Sequence, residues 1–282
     1  MKKAIHTLIY TLMFALVFSS SADAYRFGSK DDRNPADYEK RVQVADPTKD
    51  PYRSIVALYN RFDNSSIVEE HRRKEVCTGT VIGKDTVITA AHCIFGHEDT
   101  LFNGYATSGH GSPAQKDAVK PYGQFKVKSF KAHESYMDKN ERKHYTHVNH
   151  DVAIITYEPN AKGQHIGDVV PPLKLKKVDK VAGQQIETAG YPADKSDDNT
   201  KRRQMWKTND KVLLDHSTIV RGNNLAQGDF YSGGGQSGSA IRDKDNNIIG
   251  ILVFGSKYET VFVKMTDDIY NWVTSNTNDI AK

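Results

Sequence analysis

Three short segments carry residue types that together could perform nucleophilic acyl transfer. The first is Gly233-Gly234-Gly235-Gln236-Ser237-Gly238-Ser239-Ala240. A serine with glycine two residues before it and one after is built for exposure, because glycine permits backbone conformations closed to other residues. The N–H groups of such a loop can point into a cavity, where an attacking Oγ needs donors for a developing oxyanion. The second segment, Thr89-Ala90-Ala91-His92-Cys93, puts a general base directly after the apolar run Thr86-Val87-Ile88. The third, His150-Asp151-Val152-Ala153-Ile154-Ile155, puts an aspartate at the mouth of a β-branched strand. Singly, each has a plain structural explanation: a glycine–serine linker, a loop histidine, a strand cap. Together, in the order His92, Asp151, Ser237, they supply base, orienting carboxylate and nucleophile.

Groups so far apart in sequence need a rigid scaffold to meet. The chain offers many short apolar runs separated by Gly, Pro, Asn and Asp. Among them are Ser54-Ile55-Val56-Ala57-Leu58-Tyr59, Thr80-Val81-Ile82, Phe125-Lys126-Val127, Gln185-Ile186-Glu187-Thr188-Ala189 and Ile248-Ile249-Gly250-Ile251-Leu252-Val253-Phe254. This is an all-β pattern. Asp243-Lys244-Asp245-Asn246-Asn247 reads as a hairpin turn just after the candidate nucleophile, and it lacks the glycine and terminal glutamate of a calcium loop. Thr266-Asp267-Asp268 can cap a C-terminal helix over about 266–276, through Ile269, Tyr270, Trp272 and Val273. There are no repeats and no long low-complexity linker.

The chain has 282 residues and a formal charge of +4. It opens as a secretory signal peptide over 1–24: a basic Met1-Lys2-Lys3, an apolar stretch from Ala4 to Phe18, and the small-residue site Ala22-Asp23-Ala24. The apolar part is short for a membrane anchor, and no other run could span a bilayer. A secreted, extracellular location is therefore expected, with no membrane association after signal cleavage. Lys2, Lys3 and Asp23 give the signal region +1, so the remainder carries about +4 − 1 = +3. The basic clusters Arg72-Arg73-Lys74, Lys174-Leu175-Lys176-Lys177 and Lys201-Arg202-Arg203 lack the interleaved aromatics of a single-strand nucleic-acid groove. They read as solvated faces, and no nucleic-acid partner is expected.

The segments around His92, Asp151 and Ser237 follow the pattern of chymotrypsin-like serine proteases. More narrowly, the chain resembles the bacterial glutamyl endopeptidase group, which includes the exfoliative toxins. The resemblance runs from about Arg41 to the C-terminus. Its pieces are Val44-Ala45-Asp46 leading to Pro51-Tyr52, Cys77-Thr78-Gly79-Thr80-Val81-Ile82-Gly83, Ala91-His92-Cys93, Pro121-Tyr122-Gly123, Asp151-Val152-Ala153, Gly190-Tyr191-Pro192 and Gly235-Gln236-Ser237-Gly238-Ser239. It implies two packed six-stranded antiparallel β-barrels (about 42–165 and about 166–265) with the active site between them and a C-terminal α-helix. It implies a serine endopeptidase acting on protein or peptide substrates without metal or organic cofactor, and a monomer by default. His92, Asp151 and Ser237 become the catalytic triad, and the N–H groups of Gly235 and Ser237 the oxyanion hole. It also implies a disulfide between Cys77 and Cys93, the only two cysteines; the alternative is two free buried thiols, which export disfavours.

The chain departs from related proteases in two places. Digestive relatives carry an aspartate before the nucleophile that pairs with a freed N-terminus; here that residue is Gln236. In the glutamyl endopeptidases the mature N-terminus lies near the specificity pocket instead. Aligning Arg41 with the family's early arginine places the mature start near Asn34, so 25–33 is expected to be a short propeptide and 34–282 the protease domain; the alternative is a start at Tyr25. Relatives that cut after glutamate use a histidine in the strand after the nucleophile, with a threonine or serine five residues before the nucleophile; Ser232 matches the second position. The histidine position is Leu252, which cannot donate to a carboxylate. Tyr231, Ser232, Leu252 and Phe254 are the pocket candidates, and an apolar or aromatic residue before the cut fits as well as glutamate. Lys257 and Lys264 are the alternative sources of positive charge.

His144, His147 and His150 precede Asp151 closely, but their spacing fits no firm zinc template, so no metal is expected. Two other functions compete with a general endopeptidase: a narrow-specificity protease like the exfoliative toxins, and a catalytically silent protease-fold binding protein. The intact triad positions argue against the latter.

Overall fold

The computed structural model describes residues 34–62, 74–97, 104–195, 204–277 and 279–281. The expected signal peptide and propeptide lie outside these residues, as does Lys201-Arg202-Arg203. The strands are β1 (Val42–Gln43), β2 (Ile55–Arg61), β3 (Lys74–Val81), β4 (Thr86–Thr89), β5 (Phe95–Gly96), β6 (Gly104–Tyr105), β7 (Ser108–Pro113), β8 (Phe125–Ala132), β9 (Ala153–Tyr157), β10 (Gln185–Gly190), β11 (Trp206–Leu214), β12 (Leu225–Gly228), β13 (Ala240–Arg242), β14 (Ile248–Gly255) and β15 (Thr260–Lys264). Among the described residues four α-helices accompany them: α1 (Glu134–Met137), α2 (Lys139–Lys143), α3 (Ile166–Val169) and α4 (Asp267–Ser275).

Antiparallel pairing in the order β2-β3-β4-β9-β8-β7 closes the first barrel. The second runs β11-β10-β13-β14-β15-β12 and is closed by the β11–β12 pairing, with β1 added on the outside of β11. Closure pairs the edges of both barrels. The expected architecture of two six-stranded barrels and a C-terminal helix is thus what the chain adopts. One boundary differs. Val42 and Gln43 pair with Lys207 and Trp206 of the second barrel, because the leading segment crosses over before its chain enters the first barrel at β2.

The continuous apolar run of β2 reflects burial on both faces. Side chains alternate along a strand, so Val56 and Leu58 point into the main core, while Ile55, Ala57 and Tyr59 pack against Ala189, Tyr191 and Met205 of the second barrel. The main core itself spans both barrels, joining Val87, Ile88 and Ile155 to Leu225, Ile251 and Val263. Helix α4 contributes Ile269 and Val273, one turn apart and fully buried; each such burial is worth about 1.5–3 kcal/mol. Thr266 is the N-cap residue of α4 as expected, but its side chain makes no cap hydrogen bond and instead donates to Asn224 Oδ1 at 3.0 Å.

Cys77 of β3 and Cys93 are disulfide-bonded across a separation of 16 residues. Closing a loop of that size stabilises by about 3 kcal/mol in the chain-entropy model. The double variant Cys77→Ser/Cys93→Ser should lose about that much in urea denaturation. It should also lose more activity than the stability loss explains at low temperature, because the bond anchors the residue beside His92.

Candidate active site

His92 sits in the 3-10 turn Ala91–Cys93, which follows β4 directly. The turn is held by Cys93 N–H to the Ala90 carbonyl at 3.2 Å and by the disulfide one residue on. Asp151 closes the 3-10 turn Thr146–His150 and precedes β9. It is buried, and both its oxygens face His92: Oδ1 accepts the His92 backbone N–H at 2.9 Å, and Oδ2 lies 2.7 Å from Nδ1. This two-point contact fixes the ring orientation and places the ring proton on Nδ1, leaving Nε2 as the basic nitrogen.

Ser237 lies in the loop between β12 and β13. The loop is braced by the first barrel. Thr78 of β3 donates its N–H to the Ser237 carbonyl at 2.8 Å and its hydroxyl to the Gly235 carbonyl at 2.8 Å. The Gly238 N–H bonds the Leu252 carbonyl at 2.8 Å. Gly235 and Gly238 both have left-handed φ, +92° and +82°. A Cβ at Gly235 would lie 2.4 Å from the Tyr191 carbonyl, and one at Gly238 only 2.2 Å from that of Thr78. Only glycine fits either place.

The Gly234 carbonyl accepts the Ala193 N–H at 2.7 Å. A trans peptide holds C=O and N–H antiparallel, so the Gly235 N–H is turned away from Ala193. Among the described residues neither the Gly235 nor the Ser237 N–H donates to a protein acceptor. His92, Asp151, Gly235 and Ser237 line one cleft of about 790 Å³, shared with Ser232, Leu252 and Phe254. Tyr231, the fourth pocket candidate, is not in that lining. Its ring stacks under the Arg41 guanidinium at 4.0 Å, and burial, with Asp194 alongside, pushes its hydroxyl up to about 12.

Arg41 marks a residue whose role the sequence did not disclose. Its side chain is fully buried. It bonds both oxygens of Asp194 at 2.8 and 2.6 Å, both oxygens of Glu39 at 3.0 and 2.6 Å, and Gln236 Oε1 at 3.3 Å. Gln236 Oε1 also accepts the Gly233 N–H at 2.9 Å. The residue before Ser237 is thus tied to the leading segment through a guanidinium rather than an α-amine. Burial raises the Glu39 and Asp194 carboxyls, but hydrogen bonds from Arg41 outweigh it; Lys195 adds to the effect at Glu39, which is held at about 2. Thr78 was equally hidden, since a threonine in a strand signals nothing about which loop it braces.

The three histidines before Asp151 do not converge. His147 packs against His97 at 5.4 Å between ring centroids, whereas His150 stacks on His133 at 4.7 Å and lies 3.3 Å from Asp268. His133, His150 and Asp268 could in principle surround a cation. However, His133 Nδ1 accepts the Ser135 N–H at 3.2 Å. Its neutral ring must then carry its proton on Nε2, which makes that nitrogen a donor rather than a ligand. Burial, with His150 beside it, pulls His133 down to about 4, so the ring stays neutral near neutral pH.

Two barrels packed through a shared core, with a histidine–carboxylate pair and a glycine-framed serine on one cleft, define the chymotrypsin-like class. The profile of the trypsin family matches residues 54–273, and the chain belongs to that family. It is 26% identical over 244 residues to a glutamyl endopeptidase of Staphylococcus aureus (strain MW2), an alignment covering 85% of this chain and 63% of the relative. The chain therefore spans about three fifths of the length of the curated relatives it matches. Among solved structures, a Glu endopeptidase in complex with MPD superposes with a TM-score of 0.68 at 23% identity, covering 84% of this chain and 96% of that one. The protease Anisep of Arthrobacter nicotinovorans follows at 0.65 and 16%, covering 83% and 98%. At these identities the structures establish the fold.

Proposed function

We propose that the protein is a secreted serine endopeptidase in which His92, Asp151 and Ser237 form the catalytic triad, within a protease domain spanning 34–282. Ser237 Oγ attacks the scissile carbonyl while His92 Nε2 takes its proton. The tetrahedral oxyanion is received by the N–H groups of Gly235 and Ser237. His92 then passes the proton to the leaving amine, and an acyl-enzyme on Ser237 remains. Water, activated by the same nitrogen, hydrolyses the acyl bond and restores the serine. Asp151 holds the tautomer and stabilises the imidazolium. Losing one oxyanion donor would cost roughly 3 kcal/mol of transition-state stabilisation.

The observation that carries this reading is the double contact between Asp151 and His92 on the cleft that also exposes Ser237. The substrates are proteins or peptides. The signal sequence supports export, and no helix among the described residues is long and apolar enough to cross a membrane. A short propeptide over 25–33 would precede the mature chain; mass analysis of secreted protein should then find Asn34, not Tyr25, at the N-terminus. The glutamate preference of the curated relatives does not transfer directly, because Leu252 is buried among Val212, Phe230, Ile241 and Phe262 and offers no donor.

The deciding test is cleavage of a diverse peptide library by secreted protein beside its Ser237→Ala variant. Cuts present only with Ser237 support the reading. A folded, processed protein with no Ser237-dependent cut would sink it in favour of the binding-protein alternative.

A further inference from the structure

His92 and Asp151 belong to the first barrel and Ser237 to the second, so the reach from base to nucleophile depends on how the barrels are joined. One join is Thr78 of β3, which bonds the Ser237 and Gly235 carbonyls at 2.8 Å each. A second lies at the turn that leads into Asp151. There Asn149 meets the connection between β11 and β12.

A side-chain amide carries both donor and acceptor, so it can bond a neighbouring backbone as another strand would. Asn149 Oδ1 accepts the Asn224 N–H at 3.2 Å, and Nδ2 donates to the Arg221 carbonyl at 3.3 Å. Asn224 reciprocates, its Nδ2 donating to the Asn149 carbonyl at 3.3 Å. Gly222 lies directly against the amide. A Cβ there would fall 1.7 Å from Asn149 Oδ1 and 2.1 Å from Nδ2, so this approach needs glycine. The partner segment is itself anchored. The Asn224 carbonyl accepts the Lys264 N–H of β15 at 2.6 Å, and its Oδ1 accepts the Thr266 hydroxyl at 3.0 Å. His150, the next residue, reaches Asp268 of α4 at 3.3 Å. That carboxylate is 59% exposed, so water competes for the pair and it holds the turn weakly.

We propose that Asn149 is a positioning residue: its amide, seated on Gly222, sets the Asp151 turn against the second barrel and so sets His92 within reach of Ser237. The proposal rests on the serine-endopeptidase reading and adds to it a residue that does not itself line the cleft. The path of action is short. Asn149 is two residues from Asp151, whose oxygens hold both the ring and the backbone of His92. A shift of the turn therefore passes straight to the base, and a misplacement of about 1 Å can cost roughly 10²-fold in rate.

The test is a double-mutant cycle on the secreted full-length chain, read by the rate at which an alkyl fluorophosphonate labels Ser237. Ser237 Oγ attacks phosphorus, His92 takes the hydroxyl proton, fluoride leaves, and the adduct is read as a mass shift. The reagent carries no peptide, so its rate follows the alignment of Ser237 with its base and not the shape of the cleft wall. Asn149→Ala and Gly222→Ala should each slow labelling at least about tenfold, at a temperature where denaturation curves show the protein folded. If Asn149→Ala folds poorly, Gly222→Ala alone reads the same contact from the other barrel. Truncating the amide frees the space a methyl on Gly222 needs, so the double variant should label no more slowly than Asn149→Ala. With a cleaved peptide, kcat should fall in parallel and KM should change less. Unchanged labelling with a loss confined to KM would assign Asn149 to the cleft wall at Ile219 and Val220 and overturn the proposal. Losses that multiply in the double variant, or that match the unfolded fraction, would overturn it too; the catalytic reading survives all three results. A wild type that neither takes the label nor cuts any peptide overturns the catalytic reading and this proposal with it.

Discussion

Asp151→Asn is expected to lower kcat by about 10⁴-fold with little change in KM or stability. The geometry dictates which way the new amide faces. The His92 backbone N–H points at Oδ1 from 2.9 Å and cannot rotate away, so the asparagine carbonyl must take that place. The amide nitrogen then faces Nδ1 at the former Oδ2 position, 2.7 Å away. A donor there forces Nδ1 to accept and moves the ring proton to Nε2, the nitrogen that receives the Ser237 proton in the proposed mechanism. The variant keeps its shape and loses its base. Two measurements separate this from a general folding defect. Denaturation midpoints of wild type and variant should agree closely. The residual activity should also climb at alkaline pH, where hydroxide can substitute for the misprotonated imidazole. An Asp151→Asn enzyme within tenfold of wild type would remove Asp151 from the triad.

The positions of these groups were legible in sequence to the extent that each sits on a local signal. His92 follows an apolar strand and precedes a cysteine, Asp151 opens a β-branched run, and Ser237 is framed by glycines whose left-handed φ the fold requires. The strand count and barrel pairing follow from short apolar runs and turn residues, helped by family likeness. What stayed hidden depends on long-range register. Nothing near Thr78 says that its N–H and hydroxyl will meet the nucleophile loop about 160 residues later. Nothing near Ser232 says that its hydroxyl will meet Thr260 of β15 at 2.7 Å. The sequence offered Ser232, at a matching family position, and Tyr231 beside it as pocket candidates; the fold turns the Tyr231 ring toward Arg41 and the Ser232 hydroxyl toward Thr260.

Arg41→Met should destabilise the protein by about 3 kcal/mol and depress kcat as well. Removing one partner of a buried ion pair typically costs 3–5 kcal/mol, because the stranded charge cannot return to bulk water. Here the stranded carboxylates, Glu39 and Asp194, keep 29% and 34% exposure and can recover part of their hydration, which sets the expectation at the lower end. Lysine should not rescue, since a single ammonium cannot serve two carboxylates bidentately and Gln236 at once. The pair also has a pH signature. Glu39 has an ordinary value of 4.5 and a folded value of about 2, so the folded state favours its ionised form. Its contribution is fully present above about pH 4.5 and falls away as the pH drops toward 2. Wild type should therefore lose stability more steeply than Arg41→Met over that window, and the two curves should converge at its acid end. The catalytic effect runs through Gln236, whose Oε1 accepts from both Arg41 and the Gly233 N–H and so sets the path of the loop into Ser237. An Arg41→Met protein with unchanged kcat and a parallel acid-stability curve would remove Arg41 from both roles. A loss in kcat at temperatures where the variant is fully folded, with KM changed less, would make it a positioning residue that couples the leading segment to the loop carrying Ser237.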